Sequence, residues 1–297
     1  MMKYDSANEA KATFDDVYHA DTPHGYFREM DRLEYEIGEQ AKPYFLAAID
    51  HLRTSNQGKL PPRLLDLGCS YGVGSALVKY DCTYRELSSF FDQEAPRDLS
   101  GCVESTRHWL QGRDVHSDLE CVGLDCSQQA VGFGEKAGLL YSGIARNFED
   151  GEEPSAAEQS IMRDCNILTS TGAIGYVGEK TLSVILEQLG KSFPENAAPL
   201  VVVSILRMFD PSPIQSCFES FRYRFEQVPG VQLRQRHFAD DDEQSQTIDL
   251  IRRRGLDPEG LETEGRLYAD LYVGAAASDF EGLLTRLTEL DPLVSKS

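Results

Sequence analysis

The chain contains no run of apolar residues long enough to span a bilayer, which takes about 20 of them in sequence. Its first residues, Met1-Met2-Lys3-Tyr4-Asp5, lack the apolar core of a secretory signal. The expectation is a cytoplasmic protein with no membrane partner. Positive charge is also scarce: 29 Lys and Arg stand against 49 Asp and Glu, a formal net charge of -20. Phosphate backbones are neutralised by basic faces, so nucleic acid is excluded as the expected partner. The acidity reads as a solubility device. The seven cysteines, at 69, 82, 102, 121, 126, 165 and 217, are odd in number, form no C-x-x-C pair and have no histidine beside them at metal-ligand spacing. They read as reduced, mostly buried thiols in a reducing compartment, and no metal site is expected. There is no internal repeat and no low-complexity linker, and Trp109 is the single tryptophan.

What the chain does have is one organising stretch, Arg63 to Val78. Pro61-Pro62 leads into Leu64-Leu65, a short apolar run that predicts a strand buried on both faces. Glycines follow at 68, 72 and 74, and Ser75-Ala76-Leu77-Val78 begins a helix. Strand, glycine turn and helix start make a nucleotide cradle: glycine adopts positive φ freely, and its missing Cβ admits close approach. The spacing is D-x-G-x-S-x-G, from Asp66 to Gly72, and not the G-x-G-x-x-G of dinucleotide-binding proteins. With 297 residues the chain suits one large α/β domain with additions.

Residues 1–58 precede that strand and read as a helical cap or lid, with 59–297 as the main domain. Tyr35, Ile37, Ala41, Tyr44, Phe45, Ala48 and Ile49 recur at helical spacing, as an amphipathic helix requires. Tyr4, Tyr18, His24, Tyr26 and Phe27 are candidate lid residues, against the simpler alternative of aromatic packing. Glu120 to Asp125 reads as a second strand ending in an acid, with Ser127 capping the helix after it. Strand and acid lie far beyond the usual spacing of about 20 residues. The excess places an insertion at roughly 81–118, holding Tyr84-Arg85-Glu86-Leu87, Phe90-Phe91 and His108-Trp109-Leu110 as short helices. Further strands are expected at Ile144–Phe148, Asp164–Val177, Leu200–Arg207, Tyr223–Val228 and Arg266–Val273, and helices at 179–189, 214–221, 240–254 and 280–290. Arg207, with Ser204, Met208 and Asp210 at the exit of its strand, either holds a substrate carboxylate or pairs with an acid of the protein.

The string Asp66-Leu67-Gly68-Cys69-Ser70-Tyr71-Gly72 resembles motif I of the class I S-adenosylmethionine (SAM) methyltransferases, small-molecule type, and the resemblance extends over about residues 63–275. It implies an α/β Rossmann-like fold, with a mostly parallel seven-stranded sheet and an antiparallel edge strand. SAM is the implied cofactor or substrate. In that family Asp66, Gly68, Cys69, Ser70 and Gly72 would hold its amino-acid end. Asp125 would accept the ribose hydroxyls, Cys126 would lie near the adenine, and Asn147 or Phe148 would bond or stack on it. Ser170, Thr171 and Gly172 would border SAM at the carboxyl end of the fourth strand. Tyr176, flanked by glycines, could place an aromatic face on the sulfonium, or simply pack.

The enclosed, aromatic surroundings argue for a small-molecule acceptor, with a homodimer possible. Three readings follow. One is methyl transfer to a small molecule. Another is cyclisation of SAM itself to azetidine-2-carboxylate. For that the strings Thr171 to Tyr176 and Leu206 to Asp210 resemble a bacterial branch, and Tyr176, Tyr26 and Asn147 would fold and cage the methionine moiety. The third is a SAM-binding module without catalysis. Tyr176, Tyr26, Asn147 and Ser204 are the candidate catalytic residues.

Overall fold

The computed structural model describes residues 19–55, 61–93, 98–192 and 198–290. Tyr4 and Tyr18 lie outside them. The elements run α1 (His24–Arg32), α2 (Ile37–Ser55), β1 (Arg63–Leu67), α3 (Val73–Lys79), α4 (Tyr84–Gln93), α5 (Leu99–Leu110), β2 (Glu120–Asp125), α6 (Gln128–Ala137) and β3 (Ser142–Ala145). A 3-10 turn at Phe148–Asp150 follows, then α7 (Ala156–Arg163), β4 (Ile167–Ile174), α8 (Glu179–Gln188), β5 (Leu200–Leu206), α9 (Ser212–Ser220), β6 (Arg224–His237), α10 (Asp241–Arg253), β7 (Arg266–Ala275) and α11 (Ala277–Thr288).

The strands form one sheet in the order β3-β2-β1-β4-β5-β7-β6. β1 to β5 pair in parallel, and β7 runs antiparallel between β5 and β6. That order, with helices interleaved between the strands, is the Rossmann-like methyltransferase fold. Central strands carry helices on both faces and read as unbroken apolar runs: every residue of Leu200–Leu206 is buried.

Several boundaries differ from expectation for local reasons. β6 runs on to His237 instead of ending near Val228, because Gly230 at φ 76 accommodates an irregularity between Gln227 and Gln232 without breaking the strand. β3 ends at Ala145, since the Asn147 side chain accepts a bond from Glu149 N and turns the chain into the 3-10 turn. The apolar periodicity beginning at Tyr35 is one residue pair longer than α2, which leaves Tyr35 in the α1–α2 turn.

Two cores result. The main one joins the sheet to α2 through Ile37, Ala41, Tyr44, Phe45, Ala48 and Ile49. A second core is built from the cap and the insertion, with Tyr26, Phe27 and Met30 of α1 meeting Tyr71, Leu87, Phe91 and Phe133. Phe27 stacks on Phe91 with ring centroids 4.8 Å apart, and Tyr71 Oη donates to Ala20 O at 2.7 Å. The 81–118 segment is thus two amphipathic helices that cover α1 and close over α3 and α6.

The α1–α2 turn is sewn to the end of β6. Glu36 N donates to Gln235 O at 2.8 Å, His237 N to Leu33 O at 2.7 Å, and Arg234 N to Gln40 Oε1 at 2.7 Å. Beside it, Arg236 and Glu243 form a forked ion pair at 2.8 and 2.6 Å, each side chain 3% exposed. Glu243 also accepts from Ala239 N at 2.7 Å. Removing one partner leaves a buried charge uncompensated, which costs about 3–5 kcal/mol. Glu243→Ala should therefore lower unfolding free energy by about 3 kcal/mol or more, read from urea denaturation. A loss within a few tenths would show that the pair is dispensable.

Candidate functional site

In open α/β sheets ligands bind beyond the carboxyl ends of the strands, where the strand order reverses. Here that point is the end of β1, which lies between β2 and β4. β1 ends at Leu67, and Gly68 N and Cys69 N both donate to Leu124 O of β2, at 2.8 and 3.3 Å. The turn is left-handed at three positions: Gly68 (φ 75), Ser70 (φ 49) and Gly72 (φ 85). A Cβ at 68 would collide with the Cβ of Ala173. The space that the missing Cβ of Gly68 leaves is filled by Ala173 at the exit of β4.

Two carboxylates frame the turn. Asp66 is buried and accepts from Ser75 N at 3.2 Å and from Ser75 Oγ at 2.9 Å, on the first turn of α3. Burial raises its carboxyl to about 6, the Ser75 bonds opposing and the nearby Asp125 assisting. Asp125, half-buried at the end of β2, accepts from Ser70 N through Oδ2 at 2.9 Å and from Ser127 N through Oδ1 at 3.0 Å. Each oxygen therefore keeps accepting capacity. Ser127 caps α6, accepting from Ala130 N at 3.2 Å. Ser70 Oγ is buried and makes no hydrogen bond among the described residues.

The ends of β4 and β5 adjoin this turn. Ser170 Oγ donates to Leu67 O at 2.8 Å, and Gly172 N donates to Ser204 Oγ at 3.2 Å. Gly172 is left-handed (φ 79), and a Cβ there would collide with the side-chain nitrogen of Gln235. The Thr171 side chain is hydrogen-bonded to Tyr35, which is bonded in turn to Tyr26. Burial holds the Tyr35 phenol up at about 12, so it stays protonated.

The structure thus brings Asp66, Gly68, Cys69, Ser70, Gly72 and Asp125 together around one turn, with Ser170, Thr171, Gly172, Ser204 and Tyr26 alongside. Burial pushes the Cys69 thiol far above its ordinary range, while Cys126 is exposed. Asn147 is exposed and uses its amide locally, donating to Asp150 Oδ2 at 3.0 Å, and Phe148 is buried in the main core. Tyr176 is 44% exposed in the turn after β4. Arg207 takes the second of its two expected roles: it is buried against Glu262 at 2.6 Å and donates to Asp257 O at 2.8 Å.

Two residues at the site have no sequence signal. Tyr35 looks like one more apolar position of α2, and Gln235 like an ordinary polar residue of β6. Both are brought in by the bonds between the α1–α2 turn and the end of β6.

No protein-family profile matches the chain, and no curated protein does. Among solved structures it is similar to magnesium protoporphyrin IX methyltransferase (ChlM) from Synechocystis PCC 6803 with bound SAM: 10% identity, 93% of this chain and 99% of that one covered, TM-score 0.40. It is also similar to the plantazolicin methyltransferase BamL in complex with a triazolic desmethylPZN analog and SAH (12%, 91% and 96%, 0.42). A third is a TehB-like SAM-dependent methyltransferase from Corynebacterium glutamicum ATCC 13032 Kitasato (11%, 76% and 86%, 0.35). The strand order, and not these distant likenesses, defines the fold.

Asp66 gives the site a pH signature. Its folded value of about 6 lies above the ordinary 3.8, so its ionisation opposes folding. Its contribution is fully present below the ordinary value and is lost as pH rises through the folded one. Relative to Asp66→Asn, the wild type should lose about 2 kcal/mol of stability between about pH 4 and 6.5, the slope approaching about 1.4 kcal/mol per unit between 3.8 and about 6 and flattening above. Parallel stability curves in urea would contradict this.

Proposed function

We propose that this chain is a SAM-dependent enzyme that transfers a methyl group to a small-molecule acceptor. One observation carries the reading. Asp125 stands at the carboxyl end of β2, locked against Ser70 N at 2.9 Å, with accepting capacity left on both oxygens. A carboxylate at that place beside a glycine turn suits a ribose diol. The buried, unbonded Ser70 Oγ in the same turn supports a ligand there.

In this reading the turn residues Gly68, Cys69, Ser70 and Gly72 hold the amino-acid end of SAM above the buried Asp66. Asp125 takes the ribose, and Cys126 and Asn147 border the adenine, Phe148 being buried in the main core. Ser170, Thr171 and Gly172 border the sulfur, with Ser204 fixing Gly172 through its amide. Bound SAM supplies an electrophilic methyl group. The acceptor's lone pair forms the new bond to that carbon, the carbon–sulfur pair returns to sulfur, and the acceptor's proton leaves to solvent. Holding the two reactants in line does most of the work. Tyr26, through Tyr35, and Tyr176 are assigned to the acceptor side.

The test is incubation of the pure protein with SAM alone, followed by mass spectrometry. SAM recovered intact but bound keeps methyl transfer, and an acceptor that then yields S-adenosylhomocysteine (SAH) completes the case. Methylthioadenosine with azetidine-2-carboxylate would replace it by cyclisation, in which the amine nitrogen attacks Cγ, the Cγ–sulfur bond breaks and the amine loses a proton. Binding that never leads to turnover would leave a binding module, and absence of binding would overturn every SAM reading. Asp125→Ala should raise the SAM Kd by roughly 10- to 100-fold, the size of one or two charged hydrogen bonds. An unchanged Kd would remove Asp125 from the ribose.

A further inference from the structure

Gln235 poses a question that the SAM site does not answer. It lies near the end of β6 and is 4% exposed, yet its Oε1 is buried with no hydrogen-bond partner among the described residues. Buried side-chain acceptors are seldom left unmet. The residue is not placed loosely. Its backbone carbonyl receives Glu36 N at 2.8 Å, and its amide lies against Gly172, where any Cβ would strike the amide nitrogen. Gly172 is itself held by Ser204 Oγ at 3.2 Å.

Polar groups gather around the Gly172 contact of this side chain. Thr171, next to Gly172, is bonded to Tyr35, and Tyr35 to Tyr26. Tyr35 is next to Glu36, whose N–H fixes the Gln235 backbone. Four elements, α1, the α1–α2 turn, the end of β6 and the end of β4, thus deliver a carboxamide and the hydroxyls of Tyr26, Tyr35 and Thr171 beside Gly172. On its other side the Tyr35 ring meets Tyr84 of the insertion, centroids 5.7 Å apart. There the surface opens into a cleft of about 590 Å³ lined by Tyr35, Tyr84, Ser88 and Arg234.

We infer that the Gln235 carboxamide oxygen seats the acceptor molecule by receiving a hydrogen bond from its N–H or O–H group, with Tyr35 and Thr171 lining the same pocket. The inference rests on the methyl-transfer reading above and names the acceptor class. The electrostatics select within that class. A carbonyl oxygen presents the negative end of its dipole. Tyr35 also lies within reach of the Asp66 charge. The adjacent Arg236 is matched by the forked contact with Glu243. Among the described residues the cations nearest Gln235 in the chain are paired, Arg236 with Glu243 and Arg234 with Glu36 at 3.1 Å, and Arg85 lies out in the cleft. At Gln235 itself a carboxylate meets no unmatched cation, whereas a neutral amine, amide or hydroxyl does meet an acceptor.

Aniline and benzoate form a matched pair of probes, one carrying N–H donors and the other a carboxylate. Saturation-transfer NMR on the SAH-loaded protein should detect aniline and not benzoate. Gln235→Leu should weaken aniline about fivefold, the size of one net hydrogen bond, with the SAH affinity from calorimetry unchanged. Should that variant fail to fold, Gln235→Met carries the same expectation. Aniline binding that is absent, that is matched by benzoate, or that survives the substitution unchanged would overturn the assignment. The probes are also applied to the SAH-free protein. If SAH fails to bind while the aniline contrast and its dependence on Gln235 hold, the SAM reading falls and the donor-selective pocket stands.

Discussion

A carboxylate buried under the first turn of a helix is the constraint on which this molecule turns. Asp66 is the penultimate residue of β1, where the strand order reverses. Among the described residues its carboxylate accepts from the backbone N and the hydroxyl of Ser75. An anion in that position is favoured by the helix N-terminus and disfavoured by desolvation. The balance falls toward desolvation, which is why the group is raised to about 6. The turn between strand and helix has no freedom left. It is pinned to β2 through Leu124 O and Asp125, and pressed on β4 through Ala173. Once those contacts form, the ends of β1, β2 and β4 are one rigid unit.

The second core depends on that unit and gives it a wall. Tyr71 belongs to the glycine turn, yet its ring is fully buried among the aromatics of α1 and the insertion, and its hydroxyl holds Ala20. The residue that follows Ser70 thus couples the cradle to the cap. The other attachment, the strand-like bonding of Leu33 and Glu36 to β6, sets the depth at which Tyr35 reaches Thr171. Cap, insertion and sheet edge are joined at the site itself.

Much of this was legible in the chain. Asp66, Gly68, Ser70, Gly72 and Asp125 announce themselves because strand, glycine turn and acid are local patterns. The 59-position gap between Asp66 and Asp125 marks the insertion for the same reason. What escaped notice is what depends on distance in sequence. Tyr35 sits in a turn that apolar periodicity cannot tell from the start of α2. Gln235 meets Gly172 only because β6 continues past Gly230, where a Pro-Gly pair reads as an end. Gly68 and Gly172 also make room for Ala173 and Gln235 of the same chain, contacts that no local pattern announces.

The place of β7 has a consequence for how the chain is made. β6 pairs only with β7, which follows it in sequence and lies between it and β5. While the ribosome is still short of residue 266, β6 has no partner and the sheet stops at β5. The α1–α2 turn, emitted about 200 residues earlier, must wait for β6 before it can be sewn down. Such non-local closure makes folding slow, and it leaves partly built sheets open to chaperones and aggregation. The β1 turn can therefore assemble during synthesis, whereas the contact of Gln235 with Gly172 waits until β6 and β7 have emerged.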